Sequence, residues 1–107
     1  MGVFDARVNY KPVEYNEITE PFIKAIWAGH WTHYEFDFKS DKQDFLTKLT
    51  EEERGVITRA ALLISQVEVS IKSYWSNIGK ILPIPEIADV GAVFGNNEVQ
   101  HSRAYSQ

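Results

Sequence analysis

The chain contains no cysteine, one methionine, four prolines and six glycines in 107 residues. Without cysteine there is no disulfide, no cysteine-ligated zinc or iron–sulfur cluster, and no thiol nucleophile. Long apolar runs are also missing. The longest covers residues 60–64, far short of the roughly 20 residues that span a bilayer. Asp5, Arg7, Lys11 and Glu14 follow one another near the start with no apolar stretch between them, which excludes a secretory signal. An excess of positive charge is lacking too. Asp and Glu number 15 against 11 Lys and Arg, for a net charge of −4, and no basic face is evident, which argues against a nucleic-acid partner. These absences point to a cytoplasmic chain with neither a membrane nor a nucleic acid as partner. What is present is 44% hydrophobic and 24% charged residues, the composition of a folded protein with one domain at most and a modest core.

Residues 1–16 show no helical periodicity, and Lys11-Pro12 favours extended or turn backbone, so this stretch reads as an irregular arm. Residues 17–29 suit a short helix, with Phe22, Ile23, Ile26 and Trp27 on one stripe and Gly29 as a stop. Tyr34, Phe36 and Phe38 alternate with charged residues, which predicts an extended segment. A second short helix is expected over residues 41–49. Thr50-Glu51-Glu52-Glu53 is a capping box that opens a long helix and places three acids at the positive end of its dipole. No proline interrupts from there to Gly79. Pro83 and Pro85 mark the connection, and Pro85 suits the first turn of another long helix running through Tyr105. Few small independent domains need helices of such length. The fold class is therefore all-α: two long helices and an irregular N-terminal arm, forming part of a larger bundle.

Both long helices carry an anomaly. At about 100° per residue, Ile57, Ala61, Ile64, Ile71 and Trp75 all share the face of Glu68. A lone carboxylate in an apolar stripe costs several kcal/mol unless it is protonated, paired or metal-bound. On the last helix, one face reads Ile87, Gly91, Phe94, Glu98, His101 and Tyr105. Glu98 and His101 form a Glu-x-x-His pair one turn apart, able to bind a transition metal such as iron or manganese from a single helix. Glu-x-x-His with a single Glu from a neighbouring helix is the inward-facing pattern of ferritin-like dimetal bundles. Alone, the motif is commonly a salt bridge to a core histidine, and Tyr105 a buried aromatic. Two interrupted apolar stripes together are harder to explain that way.

These residues resemble a known family. Asn97-Glu98-Val99-Gln100-His101-Ser102-Arg103-Ala104-Tyr105-Ser106 is similar to the metal-and-radical helix of ribonucleotide reductase small subunits, in which Glu-x-x-His-Ser-x-x-Tyr carries two ligands and the radical tyrosine. Ile84-Pro85-Glu86 resembles the start of that helix, and Gln66-Val67-Glu68-Val69 the segment with the first carboxylate ligand. Trp31 resembles the tryptophan of the radical-transfer route. Arg7-Val8-Asn9-Tyr10-Lys11-Pro12 is similar to the start of some bacterial and phage members.

The resemblance implies a ferritin-like bundle of which residues 1–107 are the N-terminal portion. It implies Glu68, Glu98 and His101 as metal ligands, Tyr105 as the radical and Trp31 as the transfer residue. A dinuclear centre follows, di-iron first, with manganese–iron or di-manganese as alternatives because Glu68 stands where many members have Asp. With oxygen or a reduced oxygen species, that centre oxidises the tyrosine, and the radical equivalent passes to a cysteine of a large subunit where ribonucleotides are reduced. The implied partners are that large subunit, the remaining half of the small subunit, and a second copy in a homodimer. No second Glu-x-x-His lies on an apolar face here, so this chain alone is expected to be inactive and to expose a large apolar patch. Two rival readings are another ferritin-like dimetal oxidase and a non-enzymatic helical interaction fragment.

Overall fold

The capping box at Thr50 forms in full. Thr50 Oγ1 accepts from the Glu53 N–H at 3.2 Å, and the Glu53 carboxylate accepts from the Thr50 N–H at 2.8 Å. The computed structural model describes residues 2–107. In chain order they form the helix α1 (Asn16–Ala28), a 3-10 turn η1 (His33–Glu35), and the helices α2 (Lys39–Thr47), α3 (Glu51–Ile81) and α4 (Pro85–Tyr105). No strand occurs among the described residues, and the chain is all-α, part of a ferritin-like bundle. The 31 residues of α3 make a rod of roughly 46 Å at about 1.5 Å per residue.

Two local expectations shift. The segment expected to be extended folds into η1 over His33–Glu35, because Thr32 and Glu35 form their own capping box, and Phe36 just beyond it returns to extended backbone (φ −107°, ψ 134°). The second short helix begins two residues early, where Asp37 Oδ1 accepts from the Lys39 N–H at 3.0 Å and offers that free helical N–H a partner.

Leu82, Pro83 and Ile84 turn the chain back, so α3 and α4 pack antiparallel. Small residues line the contact. A Cβ at Gly91 would lie 2.4 Å from both the Trp75 carbonyl oxygen and Ile78 Cγ2, and one at Gly95 would lie 2.9 Å from Ser76 Oγ. Gly79 meets Ala88, where an added Cβ would lie 2.9 Å from the alanine Cβ. Trp75 and Phe94 stack beside this seam with centroids 4.4 Å apart. Helix α1 packs across α4, and Ile18, Phe22, Trp75, Ile87, Val90 and Phe94 surround an apolar cleft between α1, α3 and α4.

The arm is fastened to the first turn of α4. The Arg7 guanidinium pairs with Glu86 and also donates to the Pro12 carbonyl. The same carboxylate accepts from the backbone N–H groups of Glu14 and Tyr15 at 3.1 and 3.2 Å. Arg7 N–H donates to the Pro83 carbonyl at 3.2 Å. The side chains of Arg7 and Glu86 are 5% and 7% exposed, so removing either would strand a buried charge, at about 3–5 kcal/mol. Burial pushes the Glu86 carboxyl up. Its own N–H, those of Tyr15 and Glu14, and the Arg7 charge pull it down further, and the net lies below the ordinary 4.5. A lowered folded-state value means that the pair stabilises the fold above that pH and loses its contribution as pH falls through the folded value.

Buried apolar side chains are few: Ile23, Ile84 and Val90. The N-terminal half of α3 has no cover among the described residues. Leu62 and Leu63 are 65% and 69% exposed, and Ile57 and Ile64 about half exposed. The radius of gyration is 18.7 Å, against about 13 Å for a compact chain of this length.

Because the Gly91 seam involves backbone as well as side chain, Gly91→Ala must push the helices apart. Denaturant unfolding should show a loss of about 1–3 kcal/mol. Unchanged stability would show that the helices separate freely at this point.

Candidate metal centre

The antiparallel register that sets Gly91 against Trp75 and Ile78 carries on towards the C-terminus of α4 and brings Glu98 and His101 to Glu68 in the middle of α3. Ligand atoms of these three residues all lie within 4.8 Å of one another. His101 Nδ1 is 3.1 Å from Glu98 Oε2 and 3.7 Å from Glu68 Oε2. The side chains of Glu98, Glu68 and His101 are 11%, 12% and 27% exposed. Their separation in sequence therefore vanishes in the fold.

The electrostatics of this cluster are unsatisfied. Glu68 Oε2 is buried without a hydrogen-bond partner. The Glu98 carboxyl beside it and burial both raise the Glu68 pKa above 4.5, while His101 opposes them. Two acids sharing one small volume resist double ionisation unless a cation joins them. A first-row divalent metal with mixed oxygen and nitrogen ligands meets that need, and the orphaned Glu68 oxygen is the observation that fits one.

Trp31 arrives from outside the helices. Its ring lies against His101 with centroids 5.2 Å apart and planes tilted by 30°, and Phe36 makes an edge contact with it at 5.0 Å. Tyr105 sits one turn beyond His101 on α4 but is 47% exposed, so it is not the buried aromatic that the bland reading expected. The structure thus gathers Glu68, Glu98, His101 and Trp31 at one place. Two polar contacts had no signature in the sequence. One is the Arg7–Glu86 pair. The other links His33 to Gln100, whose side-chain oxygen lies 2.9 Å from both the His33 backbone N and Nδ1. Each joins residues 67 or more positions apart, beyond the reach of any helical or strand periodicity.

Comparison with known proteins agrees with this geometry. Residues 7–107 match the family described as ribonucleotide reductase, small chain. The chain belongs to this family. Over 107 residues it is 26% identical to a probable ribonucleoside-diphosphate reductase small subunit of Invertebrate iridescent virus 6. The match covers 99% of the chain and 29% of that relative, so the chain spans less than a third of the relative's length. No helix among the described residues is long and apolar enough to cross a membrane.

For a ribonucleotide reductase small chain, metal affinity should depend on all three residues. Titration with Mn(II) or Fe(II) under anaerobic conditions should show Glu98→Ala and His101→Ala each weakening binding by about 100-fold or more, at or beyond the upper limit for mere supporting contacts. Protons compete for the same atoms. With the Glu68 pKa raised above 4.5, affinity should fall as pH drops through that raised value and further below it. Affinity independent of pH across the acid range would remove Glu68 from the ligand set.

Proposed function

We propose that this chain is the N-terminal portion of a ribonucleoside-diphosphate reductase small subunit and holds half of a dinuclear metal site beside a radical-forming tyrosine. The observation that carries the reading is the meeting of Glu68, Glu98 and His101 around a buried carboxylate oxygen that has no hydrogen-bond partner, with Trp31 packed on the imidazole. The bound metals, di-iron before manganese–iron or di-manganese, would supply the one-electron oxidising power that a tyrosine radical requires. Glu68, with one more methylene than the Asp of many members, bears on that metal choice.

The chain's own residues then have distinct tasks. Glu98 and His101 present one carboxylate and one imidazole from the same helix face. Glu68 faces them from α3. Tyr105, one turn further along α4, gives up an electron and its phenolic proton to become the neutral radical. Trp31, in ring contact with a ligand, carries the electron between this site and the outside of the subunit. The reducing thiol would belong to a large subunit, in keeping with a chain that has no cysteine. The remaining ligands, the other single Glu and second Glu-x-x-His, would come from the rest of the small subunit, which works as a homodimer. This chain alone would therefore be inactive.

The half-exposure of Tyr105 favours one second reading, a ferritin-like dimetal oxidase of the same ligand set that forms no stable tyrosine radical. Electron paramagnetic resonance of the complete, metal-loaded subunit separates them. A tyrosyl signal should appear and be lost in Tyr105→Phe. A normal signal in that variant would release Tyr105 from the role. Trp31→Phe should keep the metals and the radical but lose nucleotide reduction with the large subunit, and full turnover in that variant would take Trp31 off the route.

A further inference from the structure

Trp31 lies in a non-helical segment, yet its ring is held against His101. Something must fix that segment on α4, and the hydrogen bonds around His33 show what does. The backbone N–H of His33 donates to Gln100 Oε1 at 2.9 Å. A backbone N–H can only donate, so the amide atom facing it is the oxygen. That oxygen also lies 2.9 Å from His33 Nδ1. An amide oxygen can only accept, so His33 carries a proton on Nδ1. One side-chain atom of α4 thus receives two N–H groups from the same residue of the turn. Gln107 adds a third tie, its Nε2 donating to the His33 carbonyl at 3.0 Å. The turn itself is braced by Thr32 and Glu35, whose carboxylate accepts from the Thr32 N–H. One residue, Thr32, separates Trp31 from His33, and one peptide bond joins Gln100 to His101.

We propose that Gln100 is a positioning residue for electron transfer: through its two hydrogen bonds to His33 it holds the turn on α4 so that Trp31 stays packed on the metal ligand His101. This rests on the reading of Trp31 as the transfer residue. Gln100 neither ligates nor reacts. It sets how close one ring lies to another, and electron transfer is sensitive to that spacing. Because the His33 backbone N–H and an Nδ1 proton both donate, the link needs only an acceptor at position 100. A carboxylate would serve, and a thioether of similar length would not.

The test uses the complete, metal-loaded small subunit with its large subunit. Gln100→Met should leave metal content and tyrosyl signal at wild-type levels. Amide exchange at His33 should quicken by at least about tenfold as the turn opens more often, and nucleotide reduction should fall by about 10- to 100-fold, the scale of a misplaced reacting group. Gln100→Glu should restore both readouts. Should Gln100→Met fail to fold, His33→Phe, which keeps a ring beside Tyr34 and loses the Nδ1 donor, should give a partial loss of turnover with metals and radical intact. Wild-type turnover in Gln100→Met while Trp31→Phe is inactive would overturn this proposal alone. Full turnover in Trp31→Phe would overturn the route and this inference with it. Loss of metal in Gln100→Met would make Gln100 a support of the ligands and would equally overturn it.

Discussion

The approach of α3 to α4 at Gly91 governs how Glu68 meets Glu98 and His101. At that crossing there is no room for a methyl group between the α4 backbone and the Trp75 carbonyl. Interaxial distance follows from side-chain size at the contact, so glycine on one helix and backbone on the other set it near its minimum. Glu68 and Glu98 can then bring carboxylates to one point. Wider packing would leave two separate acids on neighbouring helices, each reaching for water. The Trp75–Phe94 stack beside the seam resists sliding, and the register that aligns these rings also aligns the ligands.

Packing forces these acids together, and their charge then opposes it. Glu68 has a buried oxygen with no partner, and the neighbouring Glu98 raises its pKa. In the absence of a cation, the native site holds a proton more tightly than the unfolded chain would. Its contribution to stability therefore declines as pH rises from 4.5 through the raised value. A bound cation reverses the sign, because it favours both carboxylates ionised. The arrangement that is costly without a cation is the one that would give metal binding its driving force. Glu86 shows the contrast. Its side chain is the more buried of the two, 7% exposed against 12%, but Arg7 and several N–H groups satisfy it and its pKa falls. Burial alone does not leave a carboxylate wanting a cation; burial without a hydrogen-bond donor does.

Much of this was readable in one dimension, and the reason is periodicity. The capping box at Thr50, the proline start of α4 and the carboxylates breaking two apolar stripes are all local patterns, and each appears in the fold where the spacing placed it. The turn at His33–Glu35 escaped because the alternation of aromatic and charged residues around it imitates a strand, while its own signal is a single Thr32/Glu35 pair. In space the capping box prevails, since no neighbouring strand pairs with the segment. Arg7–Glu86 and His33–Gln100 escaped for a deeper reason. An arginine in an irregular arm and a glutamine on a polar helix face carry no sign of their partners until the chain is folded. Tyr105 lies between these cases: its helix face was legible, its half-exposure was not.

Those two illegible contacts have a common consequence. Helix α4 carries Glu98, His101 and Tyr105, and non-helical segments tie it at both ends: the arm at Glu86 and the Trp31 turn at Gln100. Helix α3 has no such anchors along its N-terminal half, where Leu62 and Leu63 face solvent. Glu68 stands at the boundary between the covered and uncovered halves of α3. On one side it meets Glu98 and His101, already held by a fixed helix. On the other, the apolar stripe continues without a partner among the described residues. Three ligand residues can hold one metal, whereas a dinuclear centre needs more. The uncovered side of Glu68 is where such ligands would have to enter, on helices that bury the exposed stripe as they deliver them. Completing the apolar core and completing the metal site are then a single event, so metal affinity and folding of the whole bundle should be thermodynamically linked.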